Sequence, residues 1–351
     1  MLRVLVAEDS ATTRALLVAL LGSDEQLRVV GEAKNGAEAI AMTKDLRPDV
    51  VTMDIRMPIM DGFEATKQIM IEAPTPIVIV SATVEVRDVE VSVQALRAGA
   101  LAVLPPPVGP SSPEFEESRQ RFLGTVKAMS QVKVVRRWPE RSSRESRAPR
   151  WDPASAMGPP PRIVALAAST GGPSALCEVL SGLPGDFPLP IVVVQHIAEG
   201  FVSGFASMLT SAATLNAKLA EPGESIQPRT IYIAPDDRHL GLRDPGTLLL
   251  SNAPAIGGFR PSASFLFESV AKVFGRSTLA VILTGMGSDG LDGLRVVRQH
   301  GGRIVAQDEA SSVVFGMPGA AASAGLVDIT LPLSAIAGYI LQATRAERGG
   351  S

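Results

Sequence analysis

Three residues of the types that cooperate in acyl transfer each close an apolar run of this 351-residue chain. Ser169 follows Val164-Ala165-Leu166-Ala167-Ala168, His196 follows Pro190 to Gln195, and Asp289 follows Thr278 to Thr284 within Gly285-Met286-Gly287-Ser288-Asp289-Gly290. Each run reads as a buried parallel strand. In an open parallel sheet all strand C-termini share one edge, so residues this far apart in sequence can converge there. Serine, histidine and aspartate are the set needed for a nucleophile, its general base and an orienter of that base. Two glycines and an apolar-periodic segment from Pro173 to Leu183 put Ser169 at a strand-to-helix turn, where free N–H groups favour developing negative charge.

Taken alone, a serine before Gly-Gly also fits an ordinary turn residue. The stretch is not the G-x-S-x-G elbow, because Ala167 stands at its first glycine. It lacks the lysine of a phosphate-binding loop and the G-x-G-x-x-G fingerprint, which counts against nucleotide binding. The chain has only three histidines. His300, before Gly301-Gly302, reads as a surface cap, and His239 as a weaker candidate base that lines the site. Two histidines and the single Cys177, which falls among apolar residues at helix spacing and reads as core, lack any zinc-ligand spacing.

A second group is acidic. Glu8 and Asp9 follow the apolar run Leu2 to Ala7, Asp54 follows Val50 to Met53, and Ser81 ends Ile77 to Val80. Three carboxylates on one sheet edge repel one another unless a hard cation binds, and an all-oxygen set suits Mg²⁺.

The elements that must position these residues alternate. Leu2–Ala7, Val29–Ala33, Val50–Met53, Ile77–Val80 and Leu101–Leu104 read as strands, with amphipathic segments such as Thr12 to Leu21 between them. This pattern predicts a doubly wound, flavodoxin-like parallel sheet, closed by a helix over 113–131. From Lys133 to Arg162 the composition turns to Arg, Ser and Pro with few aliphatic residues, which predicts a flexible linker. Its arginines with Trp138 and Trp151 carry interspersed acids and no regular spacing, so a solvated tether is preferred to a nucleic-acid-binding arm. Strand–helix alternation then resumes, with Thr230 to Ala234 as a further strand. The expected organisation is a first domain over 1–131, a linker over 132–160 and a second α/β parallel-sheet domain over 161–346.

Whole-chain properties narrow the classes further. With 33 basic and 36 acidic residues, a net charge of −3 gives no pull toward nucleic acid or anionic membrane. One cysteine suits a reducing compartment. No apolar run is long enough to cross a bilayer and no basic-then-apolar leader opens the sequence, so the expected protein is cytoplasmic and not membrane-embedded.

The first 107 residues resemble a two-component receiver domain, through Val6-Ala7-Glu8-Asp9-Ser10, Met53-Asp54-Ile55-Arg56-Met57-Pro58-Ile59-Met60-Asp61-Gly62 and Ile79-Val80-Ser81-Ala82. The resemblance implies that Asp54 accepts a phosphoryl group, that Glu8, Asp9, Asp54 and the backbone carbonyl of Arg56 hold Mg²⁺, and that Ser81 is the switch hydroxyl. A CheA-type histidine kinase is the implied phosphodonor. In Gly99 to Pro107, receivers normally carry a lysine where this chain has Pro106, which offers neither charge nor donor.

The second half resembles the catalytic domain of the chemotaxis protein-glutamate methylesterases of the CheB type. The matching residues are Ala168-Ser169-Thr170-Gly171-Gly172-Pro173, Val194-Gln195-His196, Ile231-Tyr232-Ile233-Ala234-Pro235, Arg260-Pro261-Ser262 and Leu283 to Gly290. The order receiver, linker, hydrolase matches as well. The resemblance implies Ser169 as nucleophile, His196 as base, Asp289 as its orienter, and the backbone N–H groups of Thr170 and Met286 as oxyanion hole. It further implies glutamate γ-methyl esters of methyl-accepting chemoreceptors as substrate, deamidation of receptor glutamines, and no cofactor for the esterase. Ile197 and Ala198 stand where members commonly have methionine and proline, and a loop over 197–209 is expected to face the receptor. The alternative is a non-catalytic signalling module in which receiver and hydrolase-like domain act as an adaptor.

Overall fold

The computed structural model describes residues 1–81, 102–130, 159–197 and 200–345. The chain divides into two compact units, Met1–Ser143 and Arg144–Ser351.

In the first unit β1 (Leu2–Ala7), α1 (Ala11–Gly22), β2 (Leu27–Ala33), α2 (Gly36–Leu46), β3 (Val50–Met53), α3 (Gly62–Glu72), β4 (Ile77–Val80) and β5 (Ala102–Leu104) alternate, and α4 (Phe115–Ser130) follows. The strands pair in parallel in the order β2-β1-β3-β4-β5. Every residue of β3 and β4 is buried, because helices cover both faces and leave no polar side to the strand. Side chains cap the helices: Ser10, Asn35 and Asp61 accept from the N–H of Thr13, Glu38 and Glu64, satisfying donors a first turn leaves free. The expected sheet and closing helix are present within a residue or two.

The second unit begins with β6 (Ile163–Ala168), α5 (Gly172–Ser181), β7 (Ile191–Gln195), α6 (Val202–Ala212), β8 (Asn216–Leu219) and β9 (Thr230–Ile233). A hairpin of β10 (His239–Asp244) and β11 (Thr247–Ser251) precedes α7 (Ala263–Phe274). It ends with β12 (Thr278–Ile282), α8 (Leu291–Gln299), β13 (Arg303–Gln307), α9 (Met317–Ser323), β14 (Ile329–Leu331) and α10 (Leu333–Arg345). Seven strands form a parallel sheet in the order β14-β13-β12-β6-β7-β9-β8. Its core joins sheet residues such as Ala165, Val192, Tyr232 and Ile282 to Leu266, Phe267 and Val270 of α7.

Some expectations change. The stretch 197–209, expected as a loop, contains most of α6 from Val202, whose Phe205, Met208 and Leu209 are buried. The strand expected from Pro190 starts at Ile191, since proline has no N–H for the ladder. Cys177 is half-buried on α5 and not a core residue. The linker expected over 132–160, with Trp138 and Trp151, lies outside the described residues except for Pro159 and Pro160, as do Leu101 and Ala198.

Candidate active site and acidic cluster

Ser169, His196 and Asp289 follow β6, β7 and β12, three adjacent strands at the centre of the seven-stranded sheet. From β6 the chain passes to β7 on one side, and only later returns through β12 on the other, so the site lies at the point where strand order reverses. Backbone bonds carry the ladder past the strand ends: Ser169 N donates to Thr284 O at 3.0 Å, and His196 N to Ala168 O at 2.9 Å. A Cβ at Gly285 would lie 2.8 Å from Ser169 Cβ, so the loop after β12 passes the serine at glycine distance. Gln195 is 3% exposed, and its Nε2 donates to the carbonyls of both Ser169 and His196 at 2.8 Å, locking the two turns together.

The histidine and aspartate meet. His196 Nε2 lies 2.9 Å from Asp289 Oδ2, with the side chains 8% and 4% exposed. The imidazole Nδ1 is buried and has no partner, so it is the nitrogen left for proton transfer. No hydrogen bond joins it to Ser169 Oγ among the described residues; such bonds are often long without substrate. The N–H groups of Thr170 and Met286 also donate to no group among the described residues. Met286 itself is 53% exposed beside the serine.

Asp289 is held from one helix start. Its carboxylate accepts from Ser262 Oγ at 2.8 Å, Ala263 N at 2.7 Å and Ser264 N at 3.1 Å, all at the N-terminus of α7, and from Gly290 N at 2.8 Å. Burial pushes its pKa up, but the bonds from His196, Ala263 and Ser262 outweigh this and hold it below the usual carboxylate range. A helix N-terminus favours an anion for the same reason. Asp289 therefore stays charged and serves as an anchor for the imidazole, not as a proton carrier.

Both ring nitrogens of His239 are engaged. This histidine is fully buried, its Nδ1 accepts from Ser262 N at 3.2 Å and its Nε2 bonds Pro254 O at 3.1 Å, so it supports the serine that supports Asp289. His300 caps α8 at the surface, as expected. Sequence reading gave no role to Ser262, Gln195 or Phe259, whose ring stacks on His196 at 4.1 Å between centroids and 8° between planes. For Ser262 the signal was present: a serine immediately before an apolar-periodic run is a helix N-cap candidate. Beside His196 a cleft of about 90 Å³ is lined by residues including Gln195, Ile197, Asp236 and Arg260, the last paired to Asp237.

In the first unit, carboxylate oxygens of Glu8, Asp9 and Asp54 all lie within 4.8 Å of one another. Glu8 and Asp54 are buried and Asp9 is exposed. Burial, then the charge of Asp54, pushes Glu8 up to about 7. Burial also raises Asp54, against hydrogen bonds from the N–H of Ile55, the Ser81 hydroxyl and the N–H of Arg56. Ser81 thus lies against Asp54. Arg14, bonded to the carbonyls of Glu8 and Asp9, is the cation that acts on Glu8, while Pro106 adds none. A hard-oxygen set short of positive charge fits Mg²⁺.

The family described as CheB methylesterase matches residues 164–340, and the response regulator receiver domain matches residues 4–112. A protein-glutamate methylesterase/protein-glutamine glutaminase of Myxococcus xanthus is 54% identical over 348 residues, covering 99% of this chain and 98% of that protein. The chain belongs to the CheB methylesterase family. A member of the same name from a group 3 operon of Rhizobium meliloti is 43% identical over 98% of this chain and 97% of its own. The crystal structure of the Thermotoga maritima CheB methylesterase catalytic domain is 40% identical, with a TM-score of 0.51 over 52% of this chain and 98% of that one. The first unit of this CheB-family chain is a receiver and the second a methylesterase domain. Among the described residues no helix is long and apolar enough to cross a membrane.

Proposed function

We propose that the protein hydrolyses γ-methyl esters of glutamate on methyl-accepting chemoreceptors, giving glutamate and methanol, and deamidates receptor glutamines by the same route. The observation that carries this reading is the buried His196–Asp289 pair beside Ser169, at the central strand ends of a CheB methylesterase domain. Ser169 Oγ attacks the ester carbonyl while His196 Nδ1 takes its proton. The imidazolium, held at Nε2 by Asp289, returns that proton to the departing methoxide, and methanol leaves. Water then attacks the acyl-enzyme with the same base, which frees glutamate and Ser169. The N–H groups of Thr170 and Met286 receive the oxyanion, and α5 begins beside it. An amide substrate follows the same path with ammonia as leaving group. The nitrogen roles are reversed from the Ser-His-Asp template, in which the aspartate holds Nδ1.

Asp54 receives a phosphoryl group from a histidine kinase of the CheA type. Mg²⁺ held by Glu8, Asp9, Asp54 and the Arg56 carbonyl would offset charge on the transferring oxygens when bound. The chain's own groups do the positioning: the Ile55 and Arg56 N–H groups and the Ser81 hydroxyl fix the acceptor carboxylate. The adaptor alternative is not favoured, since an adaptor has no use for a buried His–Asp pair whose imidazole keeps an unbonded Nδ1. Methanol release from methylated chemoreceptor membranes, with and without a small phosphodonor and Mg²⁺, tests the reading. Release that rises with phosphodonor and is absent in Ser169→Ala supports it; release at the level of that variant refutes it.

A further inference from the structure

We infer that Phe259 is a positioning residue for the reaction, holding and stabilising the imidazolium of His196 through its ring face. The inference rests on the proposed role of His196 as base and adds a residue to it. Phe259 and His196 are nearly parallel, 8° apart, with centroids at 4.1 Å. A flat ring at this separation leaves the imidazole no room to rotate about its Cβ–Cγ bond, whose torsional barrier is otherwise soft. The aromatic face also attracts a cation, so it favours the protonated state through which each proton transfer passes. Asp289 fixes one edge of the imidazole, and Phe259 fixes its plane. Nδ1 makes no hydrogen bond among the described residues and is left for Ser169.

The chain builds this contact with a tight turn. Ile256 and Phe259 exchange backbone hydrogen bonds of 3.1 and 3.0 Å around Gly257 and Gly258, which have φ of +59° and +86°. Two consecutive positive φ values make a type I′ turn, which side chains at those positions would strain. Three residues on, Ser262 begins the helix start that holds Asp289. One short segment, 256–264, therefore supplies both the clamp on the ring and the clamp on its carboxylate. A residue present only to fill the core would be buried; Phe259 is half-exposed, and its neighbour Ile256 faces solvent.

The test compares Phe259→Leu, which keeps apolar bulk without a face, with Phe259→Tyr, which restores the face. Full-length proteins with phosphodonor and Mg²⁺ are assayed for methanol release from methylated chemoreceptor membranes across pH. Phe259→Leu is expected to lower kcat about tenfold with KM unchanged and to move the acid limb toward lower pH, while Phe259→Tyr stays near the parent. An unchanged kcat and acid limb in Phe259→Leu, or an equal loss in Phe259→Tyr, overturns the inference. The His196 ring protons, followed by NMR in a Ser169→Ala background, read the stack without turnover. Loss of their upfield ring-current shift in Phe259→Leu supports it, and unchanged shifts sink it. An intact NMR response with no methanol release from the parent would instead refute the proposed reaction.

Discussion

The two sites of this chain occupy the same place in two parallel sheets, the C-terminal strand edge, and treat buried carboxylate charge in opposite ways. In the receiver, Glu8, Asp9 and Asp54 crowd together, and burial with mutual repulsion drives Glu8 up to about 7. In the methylesterase domain a single carboxylate, Asp289, is bonded by a helix start, a serine and a histidine, and its pKa falls instead. The difference marks the task. A cluster that is short of positive charge responds when a cation or phosphoryl group arrives, whereas a fully bonded carboxylate is a fixed point that pre-organises a base.

The largest effect expected from breaking this contrast is at the nucleophile: Ser169→Ala should reduce methanol release by about 10⁴ or more, measured on methylated receptor membranes. A variant within tenfold of the parent would remove Ser169 from the mechanism. Asp289→Asn should cost about 10³ or more in kcat, because the imidazole loses its anionic anchor, while phosphodonor uptake by the receiver stays normal. Loss of both activities together would point to unfolding.

Asp54→Asn should do the reverse, abolishing the rise in release on adding phosphodonor and leaving basal release intact. Continued stimulation would place phosphoryl transfer elsewhere. Ser262→Ala removes one charged hydrogen bond from Asp289, so a loss in kcat of about tenfold with KM held is expected. A pure KM effect would assign Ser262 to substrate binding.

The smallest effect concerns stability. Glu8 titrates at about 7 in the fold against 4.5 for the free side chain, so its ionised form is disfavoured in the metal-free receiver. Stability linked to it is complete below about 4.5 and is lost as pH rises through 7. Glu8→Gln should therefore raise the receiver's Tm at pH 8 in the presence of EDTA and barely change it at pH 5. An equal rise at both pH values would mean that packing, not charge, is responsible.

Much of both sites was legible in the sequence because parallel strands buried on both faces are continuous apolar runs, and the residue ending each run must lie on the common edge. That logic located Glu8, Asp54, Ser81, Ser169, His196 and Asp289 without a fold in hand. It was silent on residues whose role depends on packing between distant elements. Arg260-Pro261-Ser262 carried a family resemblance but no position, since nothing local says that α7 starts against the loop after β12. The family resemblance reads 197–209 as a loop, although Val202, Phe205, Ala206 and Leu209 already have helical apolar spacing, and α6 packs that face against β8 and α5.

The sequence by itself determined the two α/β units and the acids, serine and histidine at their strand ends, because strand periodicity and residue chemistry are local properties. Only the tertiary structure decided which imidazole nitrogen Asp289 holds, that Ser262 and the start of α7 fix that aspartate, and that Phe259 lies flat on His196. These are contacts between chain segments 25 or more residues apart, and their geometry is set by how helices and loops pack on the sheet.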